Sequence, residues 1–130
     1  MEEFKSLEEL TKMDEKHWRM GAVCAAVPDL EKMHEALSEE RLIEELPEEI
    51  KGQFNVARNM ALYTYFFYAL VQKVHLKTYT IIKHALKLKA NSSKRLMLGK
   101  LLRMAIDNGW ISDSGFRHIE DPSENNEGCK

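Results

Sequence analysis

The chain has 130 residues, 44% hydrophobic and 31% charged, with 19 Lys/Arg against 21 Asp/Glu and a formal net charge of −2. That length fits one folded core, and the balance of apolar and charged residues excludes a fibrous or wholly disordered chain. The longest apolar run, residues 61–71 interrupted by Thr64, is far short of the roughly 20 residues that span a bilayer, so no membrane segment is expected.

The opening Met1-Glu2-Glu3 has neither the basic start nor the apolar stretch of a signal peptide, which predicts a cytoplasmic location. Cys24 and Cys129 make no disulfide framework and are read as free thiols. Charge is divided along the chain. Residues 1–50 hold 15 acids against 6 Lys/Arg, residues 51–119 hold 2 against 12, and residues 120–130 hold 4 against Lys130. No carboxylate side chain stands between Glu49 and Asp107, so sequence neighbours cannot neutralise the cations there.

Ser6 followed by Glu9 is a capping box, and Leu7, Leu10, Trp18 and the run from Met20 to Val27 supply an apolar face behind it, predicting a first helix over residues 7–27. Pro28 breaks or bends it, Asp29 caps a second, shorter helix, and Leu30, Met33 and Leu37 recur there at helical spacing. Ser38 and residues 39–46 predict a further acidic helical turn or two, ending before Pro47, which suits the first position of the next helix. From Glu48 to about Val71 apolar residues cover every direction around a helix, which predicts a central position in a bundle. In that setting Tyr63, Tyr65, Phe66, Phe67 and Tyr68 read as core.

A turn is expected near residues 73–76. The helix after it, to Lys89, carries Thr78, Ile81, Ile82, Ala85 and Leu88 as its inner stripe and Lys73, Lys77, Thr80, Lys83, His84 and Lys87 on the opposite arc. Asn91-Ser92-Ser93 punctuates the chain, with a serine as N-cap. The last helix, residues 94–108, buries Leu98, Leu101, Leu102, Ala105 and Ile106, and Gly109 closes it. Trp110, Ile111, Phe116 and Ile119 predict a short loop packed back on the helices. Residues 120–130 have nothing to bury and are expected to be a disordered polar tail. The expectation is one all-α domain over residues 1–119, a compact bundle of five to six helices with acidic N-terminal helices (1–46) and a basic helical core (47–119).

Asp14-x-x-His17 and Glu31-x-x-His34 have the spacing of helical metal-ligand pairs. A di-metal bundle also needs inward carboxylates from two further helices, and residues 54–106 contain none, so both pairs read as surface residues and no metal or cofactor is expected. Cys24, between Val23 and Ala25, reads as packing rather than as a nucleophile. Glycine-rich phosphate loops, G-x-S-x-G, zinc spacings and a dinucleotide fingerprint are all absent, and no catalytic residue is assigned.

The sharpest functional signal is basic. Lys77, Lys83, Lys87, Lys94, Arg95, Lys100 and Arg103 over two consecutive helices suit phosphate contacts whose affinity falls with salt; the same surface also suits docking of the acidic N-terminal helices, in cis or across a dimer. Arg58-Asn59 places a guanidinium and an amide in an otherwise apolar helix, where burial demands partners. The pair is read as a structural polar hub between helices, with a ligand or RNA contact as the alternative.

The segments Leu46-Pro-Glu-Glu-Ile50, Ala57-Arg-Asn-Met-Ala-Leu-Tyr63, Lys100-Leu-Leu-Arg-Met-Ala-Ile-Asp-Asn-Gly-Trp-Ile111 and Asp113-Ser-Gly-Phe-Arg-His-Ile119 resemble an uncharacterised group of bacterial HEPN-like proteins, over residues 46–119. The resemblance implies a helical bundle that dimerises, in families whose members are often metal-independent RNases of defence or toxin–antitoxin systems. Their chemistry depends on Arg-x4–6-His. Here Arg58 has no histidine four to six residues on, and Arg117 is followed at once by His118, so the activity is not carried over. The function expected is a non-catalytic helical interaction module, a homodimer or a binder of protein or RNA through its basic helices. An RNase completed across a dimer, using Arg117 and His118 or Arg58 with His75 or His84, is the alternative, and a purely structural oligomer is the third reading.

Overall fold

The computed structural model describes residues 2–23, 27–91 and 95–112. Among them the chain is all-α. A 3-10 turn (Leu7–Glu9) precedes α1 (Glu15–Val23), α2 (Leu30–Glu39), α3 (Glu48–Tyr63), α4 (Leu70–Lys89) and α5 (Leu98–Asp107), and no strand is present among the described residues. Packing divides the chain into two compact units, Met1–Ile82 and Lys83–Lys130, a division that falls inside α4. No helix of the described residues is long and apolar enough to cross a membrane.

In the first unit the helix expected over residues 7–27 is broken. Glu9 reaches back to the Ser6 N–H at 2.8 Å and to its hydroxyl at 2.7 Å, but the turn so started lasts three residues. Asp14 then caps a new helix. Its Oδ1 accepts the Lys16 N–H at 2.9 Å and its carbonyl accepts the Trp18 N–H at 3.1 Å. An aspartate at this point competes with a continuous helix for the same backbone donors. Leu7, Leu10, Trp18 and Met20, expected on an inner face, are consequently exposed.

The α2 helix forms as its cap predicts, with the Asp29 side chain accepting the Lys32 N–H at 2.8 Å, and it packs against α3. The acidic stretch after it is not helical: α2 ends at Glu39, and beyond it there is only a turn closed by Leu46 N–H on the Ile43 carbonyl (3.4 Å). Glu39, Glu40, Glu44 and Glu45 crowd the negative end of the α2 dipole, so electrostatics oppose continuation.

Pro47 sits one residue before α3, its carbonyl accepting the Ile50 and Lys51 N–H groups at 3.0 and 3.1 Å, and Glu48 and Glu49 occupy the favourable first turn. The helix expected to continue to Val71 stops at Tyr63. Thr64 turns back its hydroxyl to the Ala61 carbonyl (2.6 Å), and the chain tightens through Thr64 N–H to Ala61 O and Tyr65 N–H to Leu62 O. The turn at residues 64–69 replaces the one expected at 73–76, through which α4 runs unbroken. Nor is α3 enclosed on all sides. Ile50 and Ala57 are buried, whereas Val56 and Tyr63 are exposed. The remaining aromatics, Tyr65, Phe66, Phe67 and Tyr68, are half-buried in the turn instead of forming a central core.

The second unit has its own small core. Leu86 of α4 meets Leu101 and Ala105 of α5, both 0% exposed, with Ala90, Leu96, Leu98, Leu102, Trp110 and Ile111 packed around them. Of the stripe expected on α4, Ile81 is buried and Ala85 half-buried, while Thr78, Ile82 and Leu88 are exposed. Asn91, at φ 47°, takes the left-handed position that ends α4. Residues 95–97 are not helical and Met97 is the N-cap of α5, so the helix starts four residues after its expected beginning; the expected serine cap lies outside the described residues.

At its other end α5 closes as predicted. Gly109 has φ 68°, its N–H bonds the Ile106 carbonyl at 3.0 Å and the Trp110 N–H bonds the Ala105 carbonyl at 2.8 Å, which together make a Schellman motif. Ile106, expected inside, is exposed because it lies roughly 90° around the helix from the Leu98–Leu101–Leu102–Ala105 stripe. The expectations for Cys24, for residues 113–119 and for the tail lie outside the described residues.

Candidate partner-binding surface

The two residues of the α3 polar pair differ in their surroundings, Arg58 half-buried and Asn59 exposed. Arg58 donates through Nη1 to the Leu37 carbonyl at 3.1 Å and the Glu40 carbonyl at 3.4 Å, and through Nη2 to Asn55 Oδ1 at 2.5 Å, with its Cζ 5.2 Å from the centre of the Phe54 ring. The guanidinium thus seals the carbonyl end of α2, where orphan acceptors and the negative dipole end favour a cation. Asn59 is exposed and takes no part in these bonds. With His34, Ser38, Asn55 and Arg58 it lines a groove of 320 Å³ along the α2–α3 packing. The Ser38 hydroxyl bonds the His34 carbonyl at 2.7 Å, so the polar groups of this groove largely serve α2 itself.

A second polar node escaped sequence reasoning. Asp14, 4% exposed, accepts the Tyr68 N–H on Oδ2 at 3.0 Å and the ammonium of Lys5 at 3.3 Å, and its own N–H bonds the Tyr65 carbonyl at 2.8 Å. Burial alone raises a carboxyl pKa; here the Tyr68 and Lys16 N–H groups and Lys5 outweigh it and hold Asp14 below its ordinary value. His17, also buried, donates from Nε2 to the Pro28 carbonyl at 3.1 Å and stands 5.2 Å from the Tyr65 ring. Asp14 and His17 are therefore buried structural groups and not the surface residues expected. Their sequence signal was the Asp14-Glu15 helix start. The bonds to Tyr65 and Tyr68 had none, because these residues lie more than 50 positions from Asp14 in the chain.

Among the described residues no group of three or more His, Cys, Asp or Glu is placed to hold a metal ion. Arg117 and His118 lie outside the described residues, and Arg58 already spends three donors on protein acceptors.

Of the cations singled out in the sequence, Lys77, Lys83 and Lys87 fall on α4, Lys100 and Arg103 on α5, and Arg95 in the non-helical stretch before α5. Lys77 belongs to the first unit; Lys83, Lys87, Arg95, Lys100 and Arg103 belong to the second, and Lys94 lies outside the described residues. Lys83 and Lys87 stand one turn apart on α4, and Lys100 and Arg103 share the exposed arc of α5. Every ion pair among the described residues joins groups within residues 2–51: Lys5 with Asp14, Lys16 with Glu2, Arg19 with Glu15 and Lys51 with Glu48. Lys89 instead lies over the Trp110 ring at 5.6 Å. The second unit thus displays Lys83, Lys87, Arg95, Lys100 and Arg103 with Asp107 as the lone carboxylate between residues 83 and 112.

Comparison with protein-family models, with curated proteins and with solved structures finds no match to this chain.

Proposed function

We propose that the chain is a non-catalytic helical interaction module, HEPN-like in ancestry, whose contact surface is the cationic face of the α4 end and α5. The observation that supports this reading is the second unit's unpaired charge: five cations, none in an ion pair among the described residues, four of them fixed on two helices that share the Leu86–Leu101–Ala105 core and Arg95 in the non-helical stretch before α5. Like charges gathered on a rigid scaffold repel one another, and a partner of opposite charge removes that repulsion. Arg58 speaks against catalysis at the polar groove, since its guanidinium is committed to backbone carbonyls.

The test measures self-association by sedimentation and binding to short fluorescent RNA and DNA, each at two salt concentrations, for the wild-type chain and a Lys83→Glu/Lys87→Glu/Arg95→Glu variant. The expected result is an association that weakens with salt, is lost in the variant and leaves the RNA intact. An unchanged variant overturns the contact surface, and RNA cleavage abolished by His118→Ala installs the enzyme reading in its place.

A further inference from the structure

The first unit carries the converse excess. Between residues 29 and 49 stand nine carboxylates against Lys32 and Arg41. Asp29 caps α2, Glu48 pairs with Lys51, and Glu49 has a partner of its own. The other six, Glu31, Glu35, Glu39, Glu40, Glu44 and Glu45, are exposed, and none is in an ion pair among the described residues. Glu31, Glu35 and Glu39 repeat at four-residue spacing along one side of α2, an arrangement that destabilises an isolated helix. Beside them Ile43 is 65% exposed.

The cationic face has matching features. Met97 and Ile106 are 73% and 63% exposed among the Lys and Arg side chains of α5. Gly99 lies on the same exposed arc, with nothing within 4 Å of the place a Cβ would take. A glycine inside a helix weakens it and here answers no packing need among the described residues, but it leaves room for a second backbone to approach. Each surface therefore sets exposed apolar side chains within a strong excess of one charge, Asp107 being the exception on the α5 arc and Lys32 and Arg41 in the acidic segment, and this resembles the composition of an interface centre and rim.

We propose that the two surfaces meet in trans: the acidic segment of residues 31–45 of one copy docks on the Lys83, Lys87, Lys100 and Arg103 face of a second copy, and the reciprocal contact closes a symmetric dimer. The inference rests on the cationic face being the contact surface, and it names the partner. A second copy is favoured over a nucleic acid because a phosphate backbone answers the cations only, whereas reciprocal docking answers both charge excesses at once.

The experiment uses the full chain in sedimentation at about 0.05 M and about 0.5 M salt, across which electrostatic screening sharpens. Two variants are compared, Glu35→Lys/Glu39→Lys/Glu44→Lys and Lys87→Glu/Lys100→Glu/Arg103→Glu; all six positions are exposed except Lys87, which is half-buried. The expected result is a wild-type dimer that loosens with salt, two monomeric variants of unchanged helix content, and a restored dimer when the two variants are mixed in equal amounts. The corresponding Gln triples remove charge without repulsion and serve if a reversed variant fails to fold; each is expected to weaken dimerisation at least about tenfold. A wild-type monomer at low salt, a dimer that survives in either charge variant, or a mixture that stays monomeric overturns the proposal. Salt-sensitive RNA binding by a monomeric wild-type chain overturns the dimer and leaves the contact surface standing, so the two failures are distinct.

Discussion

Asp14 illustrates how much one side chain decides in this chain. It caps α1, supplies an acceptor to the Tyr68 N–H and pairs with Lys5, so Asp14→Ala strands two backbone donors and an ammonium at once. A loss of about 2 kcal/mol is expected in urea denaturation. Its folded pKa lies below the ordinary 3.8, so the sign is that of a stabilising carboxylate. The contribution is complete above that value and is lost as pH falls through the lowered folded pKa. The melting temperature of the wild-type chain should drop more steeply than that of Asp14→Asn as pH is taken down from about 4. Arg58 is the second such residue. Arg58→Ala should cost about 1–3 kcal/mol in the same denaturation measurement, and Arg58→Lys should recover less than half, because one ammonium cannot span the Leu37 and Glu40 carbonyls and Asn55 together.

Among the elements, α5 and its cap hold two glycines with opposite expected behaviour. Gly109 sits at φ 68°, and Gly109→Ala should lower stability by about 1 kcal/mol although the space around it is open. Gly99 has ordinary helical geometry and equally open space, so Gly99→Ala should raise helix stability by about 0.5–1 kcal/mol, read as a higher midpoint in thermal unfolding. Helix starts and stops with a local chemical cause were legible: Asp29 before α2, Pro47 before α3 and Gly109 after α5 are all where sequence placed them, to within a residue. The stop after Tyr63 was not. No glycine or proline marks residues 64–69, and the backbone groups freed there are satisfied in part by Asp14, a residue remote in sequence.

For the whole molecule, the division into two compact units inside α4 sets where damage is felt. Leu101→Ala removes the largest fully buried side chain among the described residues and should cost about 3 kcal/mol. Hydrogen exchange should show the loss in α5 and the end of α4 and leave the α2–α3 amides unchanged. The candidate contact surface was legible as a count, since the cations crowd residues 73–103 without a carboxylate. Which of them share a unit was not legible, because helix periodicity says which side chains share a face and nothing about which helix covers it. That is why Ile82 and Leu88, assigned inward by spacing, stand exposed, while Leu86 is the α4 side chain that enters the second core.

Sequence alone determined that the chain is helical, where several of its helices are capped, and that its charge is separated into an acidic and a basic stretch. Those properties are local: a cap needs neighbours within four residues, and a charge count needs none at all. Only tertiary structure decided that the long apolar helix turns at Thr64 and that Asp14 and His17 are interior groups. Both rest in part on the hydrogen bonds of Asp14 with Tyr65 and Tyr68, residues far apart in the chain. Pairing of that kind is fixed when a buried donor must find an acceptor in space, a condition no window of sequence contains.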